Sequence, residues 1–301
     1  MGIAWIVRKL ETRVRVARTA FLWRFCRAFE CLGVHVMPVH YYSPLPPRAD
    51  LPDSLFERLS DCAGVDWNAA GQQRYLKEVF PTYAREVEFE RNAGLSVVDA
   101  AILHAMIRHH KPKKIVEIGS GASTRFSARA CVMNAREGHE SALIAIEPYP
   151  GEALRAGFPG LTRLIEAKVQ DVALDEVADA DLVFIDSSHV VRIGGDVIYE
   201  ILEIVPRLKT GALVHWHDIV LPGEYWKDWV KGRNWFFAEQ YLLHAFLQFN
   251  REFEIVWASR YMHLKHAEAI TKVFPYFQPD AHRITSFWVR RIAPGSGRTA
   301  W

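Results

Sequence analysis

The spacing of apolar residues changes twice along this chain. Up to residue 36, Ile6, Leu10, Val14, Ala17, Phe21 and Phe25 recur at helical spacing between Arg8, Lys9, Arg13, Arg15, Arg18, Arg24 and Arg27. This pattern predicts a basic amphipathic helix over 1–36. The passage Met37-Pro-Val-His-Tyr-Tyr-Ser-Pro-Leu-Pro-Pro47 carries too much proline for a helix and predicts extended chain. Short helices are expected over 52–62 and 69–90, and a further one over 99–110 that stops at His110-Lys111-Pro112. From Lys113 short apolar runs alternate with helical stretches. Strands are expected near 114–118, 142–147, 162–166, 181–186 and 211–217, with helices near 123–136, 150–157, 173–178 and 193–208. A helix near 235–249 precedes two last strands at 253–258 and 284–291, and residues 259–283 between them read as a flap or a homo-oligomer contact. Buried strands alternating with helices call for an α/β fold, a mostly parallel sheet covered on both faces. The expected organisation is a helical and Pro-rich extension over 1–94 (helix 1–36, cap or lid 37–94), an α/β domain over 95–292 and a tail over 293–301.

Composition narrows the function classes. Half of the 301 residues are hydrophobic, enough for a real core, and a net charge of +2 gives no global field for nucleic acid. Cys26, Cys31, Cys62 and Cys131 form no CxxC pair and read as reduced structural thiols. No stretch has the length of a membrane span, and the first twenty residues lack the apolar core of a signal peptide, so a cytoplasmic protein is expected. The basic helix leaves two readings open, docking on the main domain or a partner, and peripheral membrane contact through 1–36.

The most informative segment is Lys114-Ile-Val-Glu-Ile-Gly-Ser-Gly-Ala-Ser-Thr-Arg125. A strand ends at Ile118, Gly119 and Gly121 allow a tight turn and close ligand approach, and a helix follows. A dinucleotide fingerprint would place a third glycine at 124, where this chain has Thr. Instead Glu117 stands two residues ahead of the first glycine, a placement that suits a cationic amino group better than a pyrophosphate.

With its acid-x-Gly-x-Gly segment, the sequence resembles the class I S-adenosylmethionine-dependent methyltransferases. The resemblance covers about the last two-thirds of the chain. It implies a Rossmann-like sheet of seven strands, the last antiparallel, with helices on both faces and S-adenosylmethionine as cofactor. A second family acid closes the next strand; here it is Glu147 in Ile144-Ala-Ile-Glu-Pro-Tyr149, which would hold both ribose hydroxyls. Asp171 in Val169-Gln-Asp-Val172 falls where the family holds the adenine. Ser120, Ser123, Tyr149 and Asp186 complete the expected cofactor-binding set.

The fourth and fifth strands end in Phe184-Ile-Asp-Ser-Ser-His189 and Val214-His-Trp-His-Asp-Ile219. Adjacent parallel strands would bring Asp186, His189, His217 and Asp218 together near the sulfonium end of the cofactor. The pattern resembles the metal-assisted small-molecule and sugar O-methyltransferases, closest to an uncharacterised bacterial branch through Phe184–Pro222 with its Pro206-Arg-Leu-Lys-Thr-Gly211. That resemblance implies Asp186, His217 and Asp218 as ligands of a divalent ion, which would lower the pKa of a substrate hydroxyl. The family's acidic pair after the fifth strand is replaced here by His217-Asp218, and an imidazole ligand shifts preference from Mg²⁺ toward Mn²⁺, Fe²⁺ or Zn²⁺. Two other readings stay open: His189 or His217 as general base with Asp218 orienting it, and a structural role, favoured for His215.

Insertions that cover the pocket in the family have counterparts in Tyr225, Trp226, Trp229, Trp235 and Phe236 and in His40-Tyr41-Tyr42. They either pack a lid or receive a sugar or planar phenol. The expected activity is O-methylation of a small-molecule or glycosylated acceptor. The alternatives are a nicotinamide-dependent oxidoreductase and a scaffold that binds the cofactor without turnover.

Overall fold

A computed structural model of the chain describes residues 13–14, 16–17, 20–21, 24–26, 28–37, 39, 41–87 and 94–293, which form two compact units, Met1–Leu55 and Phe56–Trp301. In the first unit the described positions between Arg13 and Glu30 are helical. The expected helix over 1–36 thus ends early, and its residues 1–12 lie outside the described ones. The reason is a glycine stop: Gly33 takes φ +73, and the N–H groups of Leu32, Gly33 and Val34 fold back on the carbonyls of Phe29 and Glu30. Val14, Phe21 and Phe25 are exposed on this helix. The Pro-rich passage runs irregularly to a single 3-10 turn at Arg48–Asp50.

The second unit is built on seven strands: β1 (Lys114–Ile118), β2 (Ala142–Ile146), β3 (Arg163–Ile165), β4 (Leu182–Ile185), β5 (Leu213–Trp216), β6 (Phe253–Ala258) and β7 (Phe287–Arg291). Their order is β3-β2-β1-β4-β5-β7-β6; the pairs up to β5 are parallel, and β7 runs antiparallel to both β5 and β6. The strand order reverses between β1 and β4, the position where open α/β sheets form a ligand crevice. The central strands are buried on both faces, as parallel strands under helices must be. One apolar layer packs Ile115, Leu143, Leu182 and Phe184 against α1 (69–83), α2 (Val97–His110) and α3 (Thr124–Arg136). The opposite layer packs Val116, Ile144, Val183 and Val214 against α4 (196–207) and α5 (Glu239–Leu247).

Four further sequence expectations change. The helix expected over 52–62 shrinks to a 3-10 turn at Asp53–Glu57, because Ser60 N–H bonds the Pro222 carbonyl and Leu59 bridges Gly223. Tertiary pairing overrides a weak local preference there. The helices near 150–157 and 173–178 are single turns, Glu152–Arg155 and Asp175–Ala178. Most of 259–283 is a helix, α6 (Ser259–Val273), broken at His266, where φ is −142 and ψ 34. That break interrupts the apolar period and hid the helix. Among the described residues no helix is long and apolar enough to cross a membrane.

The start of α2 is tied to the β7–β6 edge of the sheet by one buried carboxylate. Asp99 follows the N-cap Ser96, whose Oγ accepts its N–H at 3.0 Å and donates to its Oδ2 at 2.8 Å. Asp99 also accepts from Ser259 Oγ at 3.1 Å and from the N–H groups of Thr285 at 2.9 Å and Ser286 at 3.0 Å. Removing this acceptor orphans donors that water cannot reach. Asp99→Ala is therefore expected to cost roughly 3 kcal/mol of unfolding free energy, against about 1 kcal/mol for Ser96→Ala, in urea titrations followed by circular dichroism.

At the other end of α2, His110 Nε2 meets Tyr75 Oη at 2.9 Å, and Arg290 donates to the same phenol at 2.8 Å. Burial, with Arg290 and His109 alongside, pushes His110 down to about 3. The folded protein holds this imidazole neutral while the unfolded chain protonates it below its ordinary value of about 6.5. Its contribution is therefore complete above that pH and lost as pH falls toward about 3. The melting temperature is expected to drop between neutral and mildly acidic buffer, and His110→Gln to drop less steeply over the same range.

Candidate active site

The glycine loop and the end of β4 meet at the crevice. Gly119 takes φ +82, and a Cβ there would stand 2.0 Å from the Asp186 carbonyl oxygen, so only glycine lets the two strand ends approach. Nothing lies within 4 Å of the corresponding position on Gly121, which leaves backbone open to a ligand. Gly121 N–H donates to Thr124 Oγ1 at 3.1 Å, and Ser120 Oγ donates to the Glu117 carbonyl at 3.3 Å. Ser123 is buried at the head of α3.

Glu117 is buried beneath this loop. Its Oε1 accepts from Ser127 Oγ at 2.6 Å, and its Oε2 has no partner. Burial pushes the carboxyl up to about 7 against the pull of the Ser127 and Thr124 hydroxyls. An orphaned carboxylate oxygen below an open glycine turn fits a bound amino or ammonium group. Glu147, half-buried at the end of β2, accepts the Tyr149 N–H at 2.8 Å; Tyr149 itself is exposed. Asp171 lies exposed at the end of the 3-10 turn Val169–Asp171 after β3.

The four residues expected from β4 and β5 do converge. His217 Nδ1 is 3.4 Å from both Asp186 Oδ1 and Asp218 Oδ1, and His189 Nε2 is 3.3 Å from Asp186 Oδ1 and 3.6 Å from Asp218 Oδ2. Both histidines are buried, and each carboxylate is partly exposed. His189 and Asp218 hold left-handed backbone at φ +58 and +57, which turns the strand-end loops back over the sheet. One ligand atom from each of Asp186, His217 and Asp218 lies within 4.8 Å of the others, a spacing that a divalent ion could bridge. Two carboxylates and one imidazole suit Mn²⁺ or Fe²⁺.

Charges in the cluster balance one another. Burial alone would depress both imidazoles, but Asp186, Glu239 and Asp218 hold His189 well above the usual histidine value. Asp218, Asp186 and Asp99 likewise raise His217 to about 9. Burial would raise Asp186, yet His217 and His189 beside it hold its carboxyl well below the usual range.

Several residues here escaped the sequence reading. Glu239 Oε2 meets His189 Nδ1 at 2.8 Å from the first turn of α5. Thr285 Oγ1 lies 3.0 Å from His217 Nε2, with Asp99 Oδ2 at 3.9 Å. Behind them Ser187 Oγ donates to Glu200 at 3.1 Å, and burial together with Glu239 keeps the Glu200 carboxyl well above the ordinary value. The usable signal was an acid inside the apolar run Phe236-Phe-Ala-Glu-Gln-Tyr-Leu-Leu243; nothing local marks Thr285. Phe237 closes over His189 at 4.7 Å between rings and touches Tyr225 and Trp229, which are buried. Trp226 and Phe236 are half-buried and Trp235 is exposed, so the aromatic insertion packs mainly on itself. His215 is a core residue, stacked between Phe184 at 4.3 Å and Trp288 at 4.2 Å. His40 lies outside the described residues, and Tyr41 and Tyr42 are exposed in the first unit.

Known proteins place this arrangement. A methyltransferase-domain family matches residues 116–219, from β1 to just beyond β5. An uncharacterised protein of Archaeoglobus fulgidus is 32% identical over 185 residues, 54% of this chain and 82% of that one. Among solved structures, the O-methyltransferase TomG of Streptomyces achromogenes with S-adenosylmethionine is 16% identical, covering 75% of this chain and 97% of its own, at a TM-score of 0.42. An O-methyltransferase of Bacillus cereus with S-adenosylhomocysteine is 13% identical over 75% and 98%, at 0.39. Those two likenesses are too distant to carry weight beside the domain match. Its span takes in the glycine turn and both strand ends that build the crevice, and residues 116–219 belong to the methyltransferase-domain family.

Proposed function

We propose that the chain transfers the methyl group of S-adenosylmethionine to a hydroxyl oxygen of a small or sugar-containing acceptor seated at the Asp186, His217 and Asp218 cluster. The observation that carries this reading is the approach of those three side chains to within one coordination sphere at the open end of the sheet. Glu117, Gly119, Ser120, Gly121 and Ser123 would cradle the methionine end of the cofactor, Glu147 its ribose and Tyr149 and Asp171 its adenine side. Glu147 is suited to the ribose because a carboxylate offers two acceptor oxygens. A divalent ion at the cluster would supply a Lewis acid that lowers the pKa of the acceptor hydroxyl. Thr285 fixes the His217 ring from behind, and Phe237 shields the His189 side from water.

A second reading has His189, in its neutral form, take the hydroxyl proton directly, against the neighbouring carboxylates that favour its charged form. It is favoured by the 2.8 Å contact of His189 Nδ1 with Glu239, which would orient Nε2 toward the cluster. In that reading Glu239 is a positioning residue.

Calorimetry of metal-stripped protein separates these readings. S-adenosylhomocysteine is expected to bind, and Glu147→Ala to weaken it about tenfold or more, the loss of a charge-assisted pair of hydrogen bonds. Mn²⁺ is expected to give its own saturable heat, abolished in Asp218→Asn while S-adenosylhomocysteine still binds. Absence of Mn²⁺ heat from the unaltered protein would transfer the role to His189. Failure of S-adenosylhomocysteine to bind, with NADH binding instead, would overturn the proposal in favour of an oxidoreductase.

A further inference from the structure

Beside the cluster lies a cleft of about 750 Å³, bordered by the first residues of α2 at Ser96 and Val97, by Trp226, by Arg260 and His263 on α6, and by Arg283 ahead of β7. It is joined to the cluster through short connections. Ser96 and Ser259 both bond Asp99, which stands 3.9 Å from His217; Arg260 follows Ser259, and Arg283 precedes Thr285 by two residues.

The cations in this cleft are unequally matched. Arg283 grips Asp228 with both terminal nitrogens, at 2.8 and 2.7 Å, and lies over the Trp226 ring at 4.7 Å. That pair consumes the Asp228 carboxylate. Arg260 is half-buried, has no ion-pair partner among the described residues, and its buried Nε has no acceptor. His263 Nδ1 is likewise buried without a partner. Asp280, the other acid at the rim, acts on His263. Burial and the neighbouring Arg283 both disfavour the Arg260 charge. A half-buried guanidinium with no carboxylate partner is costly to maintain, and an oxyanion meeting its terminal nitrogens would satisfy it. The positive end of the α2 dipole points the same way.

We propose that this cleft is an anion subsite of the acceptor: the molecule methylated at the cluster carries a carboxylate or phosphate that Arg260 receives. The proposal rests on the methyltransferase reading for what is done to that molecule, but binding of the anion does not depend on it. Arg260 would supply directed donors to an oxyanion, His263 a further donor, and the stacked Arg283 and Trp226 a rigid wall. An acceptor so held presents a hydroxyl to Asp186, His217 and Asp218 at a fixed reach from its charged group.

The test is calorimetric titration of the full chain with inorganic phosphate and, separately, with acetate, in the unaltered protein and in Arg260→Gln and Arg260→Lys. Saturable binding is expected, weakened about tenfold or more in Arg260→Gln and less in Arg260→Lys. Tighter phosphate than acetate would assign a phosphorylated acceptor, and the reverse a carboxylated one. S-adenosylhomocysteine, titrated into every variant, reports an intact fold and an independent cofactor site. Retained S-adenosylhomocysteine binding with no saturable anion binding, or with equal anion affinity in Arg260→Gln, overturns the subsite and leaves the methyltransferase reading standing. Anion binding that depends on Arg260 without S-adenosylhomocysteine binding upholds the subsite and removes that reading.

Discussion

The Asp99 carboxylate organises the part of the fold on which the candidate site stands. It receives donors from the N-cap of α2, from the first residue of α6 and from the backbone leading into β7. These segments are far apart in sequence, and the carboxylate adds polar ties to the apolar cluster they share. The same carboxylate lies behind His217, whose outer nitrogen meets Thr285 on the tethered backbone. Register of β7 against β5, the entry angle of α2 and the orientation of one site imidazole are thus set by one acceptor group. Such a group must stay dry and fully bonded, because an unsatisfied carboxylate in the interior costs more than the fold can spare.

The other half of the site depends on backbone proximity. Gly119 brings the first glycine turn against the carbonyl of Asp186, so the loop expected to hold the cofactor and the strand end that starts the acid–histidine cluster are in van der Waals contact. Cofactor and acceptor chemistry are placed by the same junction, at the point where strand order reverses. Around it, partly exposed carboxylates alternate with buried imidazoles. Each ring is steadied from behind, His189 by Glu239 and His217 by Thr285.

Much of this was legible in the sequence, for identifiable reasons. Strands β1, β2 and β4 are short apolar runs ending in turns, and a parallel sheet buried on both faces leaves that signature plainly. The convergence of Asp186, His189, His217 and Asp218 followed from adjacency of parallel strand ends. What stayed hidden was set by tertiary contact. The segment 58–62 trades helix for a bridge to Gly223. Helix α6 loses its period at His266, and Glu239 and Thr285 reach the site from segments whose own patterns announce only packing. Asp99 opens the helix expected over 99–110, and nothing local marks its wider bonding, which depends on partners about 160 residues or more away.

His189 and Asp218 sit in left-handed backbone without being glycine or asparagine. Each such residue costs about 1 kcal/mol relative to a relaxed conformation, and glycine would remove the cost. The strain is therefore held in place by what the two side chains touch: glycine at His189 would leave the Glu239 and Asp186 carboxyls without their imidazole. A search for stabilised variants that scored backbone conformation alone would be drawn to glycine at both positions, and would empty the cluster while lowering the melting temperature it set out to raise.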